Sequence, residues 1–166
     1  MSNYLCLDIS LNSTGYAVIN DDKALLDFGF FDYGKTLTEK SKELVYHEKT
    51  NFQLDKIRIL LREHSISEVF LERFSFGSFG NSSAVSVLAE VTGAIKLFLY
   101  NQSIPYHAIS PQTVKKFITG SGRAKKEEVY ASILESYPSI SGCRYDVTDA
   151  IAVGLTALGT IGKNNK

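Results

Sequence analysis

Apolar residues along the chain recur with two periods, and the switch between them predicts the order of elements. Alternating and β-branched runs at residues 4–9, 15–20 and 24–33 are separated by short polar turns, the clearest being Asn20-Asp21-Asp22-Lys23. This pattern predicts three consecutive strands in an antiparallel meander. From residue 38 to 64 the spacing lengthens to that of a helix, carried by Leu44, Val45, Phe52, Leu54, Ile57, Ile59, Leu60 and Leu61. The helix hands over at Ser65 to a short strand containing Phe70 and Leu71, and strand, crossover helix and strand make a βαβ step.

A Gly- and Ser-rich segment at residues 75–83 reads as a loop, after which helical spacing resumes over 84–100. Residues 104–109 suggest a strand whose Pro105 belongs near its start or at an edge. Ser110 and Pro111 are a cap and first-turn pair for a helix through Phe117, and residues 125–136 and 146–161 carry the final helices. The predicted architecture is α/β, with a central five-stranded mixed sheet, three antiparallel strands then two parallel, flanked by helices. No repeat or linker divides it, so residues 1–162 are expected to form a single domain, with 163–166 a frayed tail.

Length and composition agree with that picture: 166 residues with 44% hydrophobic content can bury a substantial core. No apolar run reaches membrane-spanning length and the N-terminus lacks a secretory pattern, so a cytoplasmic protein is expected, with Cys6 and Cys143 as reduced thiols. The 18 basic residues balance 18 acidic ones, which excludes the bulk positive charge of many strong nucleic-acid binders. Any nucleic-acid site must be a local patch. One candidate holds Lys115, Lys116, Arg123, Lys125 and Lys126 around a Gly-Ser-Gly turn; the ordinary alternative is a solvated helix face.

Four carboxylates change the picture further. Asp8 lies in the first apolar strand, Glu72 ends the strand containing Val69, Phe70 and Leu71, and Asp146 and Asp149 share one face at the start of the last helix. An acid in a buried strand is costly without a partner, and two like charges one turn apart repel unless a cation lies between them. Oxygen donors from separate elements suit hard divalent ions such as Mg2+ or Mn2+. Taken singly each acid has an ordinary reading: Asp8 as a turn cap, Glu72 as a partner of Arg73, Asp146 or Asp149 as a helix cap. His47, His64 and His107 show no triad spacing and read as solvent-facing or locally hydrogen-bonded, and the hydroxyls of Ser10 and Ser13 read as structural.

Order and residues together resemble the RuvC family of Holliday junction resolvases, within the ribonuclease H-like fold. The segments LDISLNSTGYAVI, FLERF, VKKFITGSGRAKKEEV and YDVTDAIAVG carry the resemblance. It implies a ribonuclease H-like fold and a crossover junction endodeoxyribonuclease that binds four-way junctions, leaving other branched DNA open as substrates, and makes symmetric metal-dependent nicks with 5′-phosphate and 3′-hydroxyl ends. It implies two Mg2+ ions per active site, with Mn2+ able to substitute, held by Asp8, Glu72, Asp146 and Asp149 as catalytic ligands, Asp8 being shared. Lys115 and Lys126 match lysines that contact the junction backbone; Lys116, Arg123 and Lys125 are their basic neighbours. The segment RFSFGSFGNSS matches a loop that puts an aromatic ring into the junction, with Phe76 and Phe79 better placed than Phe74.

Paired nicks on opposed strands call for a twofold homodimer, and helix 84–100 is the expected surface, with Val85, Leu88, Val91 and Leu99 in excess of what one buried face needs. The turn Ile-Ser-Leu-Asn-Ser-Thr after Asp8 departs from the Pro-Gly-Ser of bacterial members. The chain therefore reads as a diverged member of the kind bacteriophages encode, acting in the bacterial host cytoplasm, and branch-migration protein partners are not assumed. Two competing readings are a branched-DNA-binding structural protein with weak or no cleavage and an actin-like nucleotide-binding fold, which needs a second domain for which this length leaves no room.

Overall fold

Strand β1 (Asn3–Asp8) is apolar on both faces, and Leu5, Cys6 and Leu7 are fully buried. A strand of that kind has to lie inside a sheet covered on two sides. The computed structural model, which describes residues 1–34, 42–73 and 82–161, places it at the centre. Strand β2 (Ser13–Asn20) pairs antiparallel with β1, Asp8 opposite Gly15, and β3 (Leu25–Asp32) pairs antiparallel with β2. Helix α1 (Lys42–Glu63) crosses over to β4 (Ile66–Glu72), which runs parallel to β1 with Leu7 beside Leu71. Helix α2 (Ser82–Asn101) leads to β5 (Tyr106–Ile109), parallel to β4. The five-stranded sheet has the order β3-β2-β1-β4-β5, three antiparallel strands followed by two parallel ones, as the hydrophobic pattern predicts.

Because side chains alternate along a strand, β1 feeds two cores. Cys6, with Ala17, Ile19 and Phe70, packs against α3 (Pro111–Thr119), α4 (Lys126–Ser136) and α5 (Tyr145–Ile161) through residues such as Val114, Ile133 and Ile151. Leu5 and Leu7, with Val18, Val69 and Leu71, pack against Ile57 and Leu60 of α1 and Val91, Ile95 and Leu99 of α2. Helix α5 lies close on the sheet: a Cβ added at Gly154 would run into the Cys6 sulfur.

Several boundaries shift for local reasons. β5 starts at Tyr106 rather than Ile104, because the Ile104 N–H still closes α2 by donating to the Leu99 carbonyl at 3.0 Å and Pro105 has no N–H to give a ladder. Ser110 caps α3 as expected, its hydroxyl accepting from Thr113 N at 3.1 Å. α3 runs two residues past Phe117, to Thr119, and is capped by Gly120, whose φ of 80° suits a residue without a Cβ.

The expected surplus on α2 is corrected. Val91 and Leu99, with Ile95 between them, are almost completely buried; at i, i+4 spacing they are the inward stripe itself. Among the described residues, the large apolar side chains that α2 exposes are Leu97 at 61% and Tyr100 at 73%. Among the described residues, no helix is long and apolar enough to cross a membrane. Both cysteines are free thiols. The start of the predicted helix at 38–41, most of the 75–83 loop and the tail 163–166 lie outside the described residues.

Candidate active site

Asp8 ends β1 and Glu72 ends β4, and since Leu7 and Leu71 are direct neighbours in the parallel ladder, the two acids emerge side by side at the carboxyl ends of these two inner strands. Carboxyl ends of adjacent parallel strands are where open α/β sheets commonly bind ligands. The third contribution comes from α5, through a glycine. Gly15 stands opposite Asp8 in the register, and a Cβ there would overlap the Asp146 main-chain carbonyl. The missing side chain lets the first turn of α5 settle onto the hairpin next to Asp8. Ser13 Oγ then donates to Asp146 Oδ2 at 2.9 Å, and Asp149 follows one turn later on the same face.

The polar turn between β1 and β2 is fixed from below. Gln53 of α1, only 2% exposed, donates from Nε2 to the carbonyls of Ser10 (2.7 Å) and Leu11 (3.1 Å) and accepts from Thr14 Oγ1 at 2.7 Å. Ser10 Oγ donates to the Ser13 carbonyl at 2.6 Å and accepts from Ser13 N at 3.0 Å. Ser10 and Ser13 are thus structural, as expected, with Ser13 also orienting a site acid. Gln53 was not anticipated; its signal is a polar residue four positions before Ile57, on the apolar stripe of α1.

Crowding of these carboxylates shows in their proton affinities. Burial pushes the Asp8 carboxyl up to about 8, reinforced by the charges of Glu72, Asp149 and Asp146 and only partly offset by Lys126. Glu72 rises to about 7, through burial first and then Asp149, against the pull of Lys126 and Lys115. Asp149 is raised by burial and by Asp146, opposed by Lys126. Burial works against the Lys126 ammonium, but its hydrogen bond to Asp149 and the charges of Asp149, Asp8 and Asp146 outweigh that and raise its pKa. Asp8, Glu72 and Asp149 are therefore costly to ionise unless a cation joins the group.

Two side chains already supply positive charge. Lys126 Nζ lies 2.9 Å from Asp149 Oδ2. Arg144 Nη2 lies 3.1 Å from Asp146 Oδ2 and its Nη1 3.6 Å from Asp32 Oδ2, with the guanidinium 4.5 Å from the Phe30 ring centroid. Arg144 was not singled out in the sequence, although a basic residue two positions before Asp146 is a usable signal. Among the described residues no group of three His, Cys, Asp or Glu side chains is gathered closely enough to hold a metal ion, and each α5 acid is paired with a cation. In chemistry the donor set fits a hard divalent cation: four carboxylates, no competing soft ligand, and mutual repulsion that such an ion would relieve.

The basic segment borders this group. Lys115 of α3 and Lys126 at the start of α4 act electrostatically on Glu72 and Asp149. Lys116, Arg123 and Lys125 are exposed along the same segment, and Lys125 begins α4 with its N–H donating to Glu128 Oε2 at 2.6 Å. The expected aromatic residues Phe74, Phe76 and Phe79 lie outside the described residues. The histidines take no part in the site: His64 Nε2 pairs with Asp27 at 3.1 Å, His107 with Glu68 at 3.6 Å, and His47 is exposed.

Comparison with known proteins bears on what such a site does. Residues 4–157 match the family model for crossover junction endodeoxyribonuclease RuvC. The chain is 31% identical over 162 residues to the crossover junction endodeoxyribonuclease RuvC of Ehrlichia ruminantium (strain Welgevonden), covering 96% of this chain and 98% of the relative. It is 29% identical to the protein of that name from Helicobacter pylori (strain 26695), covering 92% and 93%. Among solved structures, T. thermophilus RuvC in complex with a Holliday junction substrate superposes with a TM-score of 0.81 at 19% identity, over 99% of this chain and 97% of that one. The yeast mitochondrial Holliday junction resolvase gives 0.63 at 12% identity, over 95% and 79%. At those identities the structural matches establish a shared ribonuclease H-like fold.

Proposed function

This chain belongs to the crossover junction endodeoxyribonuclease RuvC family, and from that premise we propose that Asp8, Glu72, Asp146 and Asp149 form its catalytic metal site, acting on branched DNA. The protein is a structure-selective Holliday junction endonuclease, and the family depends on divalent metal. The observation that carries the site assignment is the convergence of Asp8 and Glu72, at the ends of the neighbouring parallel strands β1 and β4, with the first turn of α5 seated on Gly15; burial there raises the Asp8 and Glu72 carboxyls to about 8 and about 7. Carboxylates assembled at that cost fit a site completed by cations.

Two Mg2+ ions, replaceable by Mn2+, would be held by the four acids. When bound, they supply Lewis-acid activation of water and of the scissile phosphate, leaving 5′-phosphate and 3′-hydroxyl ends. The protein's own groups hold and orient. Ser13 fixes one oxygen of Asp146, and Gln53 holds the turn that carries Ser13. Lys115 and Lys126 bind backbone phosphates beside the acids, with Lys116, Arg123 and Lys125 extending the track. Phe76 or Phe79, or failing these Phe74, stacks on a base at the junction centre.

Paired nicks need two sites related by a twofold axis, so the active form is a homodimer. The revised surface is the outward stripe of α2, where Ser86, Ala89, Gly93, Leu97 and Tyr100 are exposed and the small residues permit close approach. The diverged β1–β2 turn supports reading the chain as a phage-type member that works in the bacterial host cytoplasm.

Incubating the protein with labelled four-way, three-way and linear DNA, in Mg2+, Mn2+ or EDTA, tests this reading. Metal-dependent paired nicks on the four-way junction, lost in Asp8→Asn, are expected. Junction binding without nicks in any metal would instead support a structural role.

A further inference from the structure

Of the cations around the acids, Arg144 is the one held in three ways at once. Its Nη2 lies 3.1 Å from Asp146 Oδ2, its Nη1 lies 3.6 Å from Asp32 Oδ2 at the end of β3, and its guanidinium faces the Phe30 ring at 4.5 Å. The Asp146 oxygen that it approaches is the one already satisfied by the neutral donor Ser13 Oγ at 2.9 Å. Asp146 therefore has an uncharged group to orient it without Arg144, and Arg144 has a second carboxylate and an aromatic face to rest on without Asp146.

We propose that Arg144 is a counter-cation that competes with the divalent metal for Asp146 and withdraws toward Asp32 and Phe30 when metal binds. The inference rests on the reading of Asp146 as a metal ligand. In the metal-free protein Arg144 neutralises an acid whose charge otherwise acts on Asp8 and Asp149. When a divalent ion arrives, the same guanidinium becomes a like charge beside the new cation, so its interaction with Asp146 must be given up or weakened. Arg144 sets the metal concentration at which the site fills; Asp32 lowers that threshold by offering the arginine another partner. A residue that only braced Asp146 would have the opposite effect, since its removal would loosen a ligand and weaken metal binding.

Calorimetric titration of the full-length, DNA-free protein with Mn2+ separates these roles. Arg144→Gln is expected to bind Mn2+ about two- to five-fold more tightly than wild type, the range of a part-exposed ion pair, and Arg144→Lys to stay near wild type. Asp32→Asn is expected to weaken Mn2+ binding while Arg144 is present and to have no effect in the Arg144→Gln background. Unchanged or weaker Mn2+ binding in Arg144→Gln with wild-type circular dichroism overturns the proposal. So does an Asp32→Asn effect that persists without Arg144, and this cycle decides the matter if Arg144→Gln proves unstable and is replaced by Arg144→Met. Absence of Mn2+ binding in the wild type, or binding indifferent to Asp8→Asn, would instead refute the metal site itself.

Discussion

Lys126 donates a 2.9 Å hydrogen bond to Asp149, so the basic segment and the acid cluster meet in a single contact. The lysine proposed here to meet DNA phosphate is thus also the partner of a proposed metal ligand. Lys126→Ala is expected to weaken junction binding in EDTA and to reduce the salt dependence of that binding by about one phosphate contact, a slope change of roughly 0.9 in log–log form. Fluorescence anisotropy across a salt series checks both.

Asp8→Asn keeps the shape of the side chain and removes its charge. Nicking should fall at least about a hundredfold, more than is typical for loss of an outer partner of a metal ligand, while junction affinity in EDTA is unchanged near neutral pH, where Asp8 is largely protonated without metal, and improves only above about pH 8, where the wild-type carboxylate is charged. Parallel cleavage and gel-shift assays measure the two effects; equal loss of both would point to misfolding.

The raised carboxyls give the metal-free protein a pH-dependent stability of definite sign. Asp8 and Glu72 titrate at about 8 and about 7 in the folded chain, against roughly 4 when unfolded. Between those values the folded state binds more protons, so stability present at low pH is lost as pH rises through the folded values. The Tm in EDTA should fall from pH 5 to pH 9, less steeply in Asp8→Asn. Saturating Mg2+ should recover the loss at high pH. A flat profile in EDTA would remove the basis for the repulsion argument.

Gly15→Ala tests the close approach of α5. The added methyl would overlap the Asp146 carbonyl, so the first turn of α5 must shift. A destabilisation of about 1–3 kcal/mol is expected, the usual cost of overpacking. Chemical denaturation gives the stability, and metal titration should show weaker binding even where the variant is fully folded.

Much of this molecule could be read from local pattern. The sheet order follows from alternating runs and two crossover helices, α1 and α2, and Asp8 and Glu72 could be found because a charged residue in an apolar strand is costly wherever the strand lies. Helix α2 was harder: Val91 and Leu99 count as apolar on any scale, but whether an apolar residue faces a core or a partner depends on which side of the helix meets the sheet. Gln53 and Arg144 were missed for a related reason. Their partners, Ser10, Leu11 and Thr14 for one and Asp32, Asp146 and Phe30 for the other, lie far away in sequence, except Asp146.

By itself the sequence determined the elements, their order, and the four acids with their neighbouring basic segment, because periodicity and the cost of burying charge act over a few residues. Only the tertiary structure decided how those acids are balanced. The absent side chain at Gly15 brings Asp146 beside Asp8, and Lys126 and Arg144 each claim one acid of α5. Electrostatic balance depends on distances through space that arise only when β1, β4, α4 and α5 are packed together.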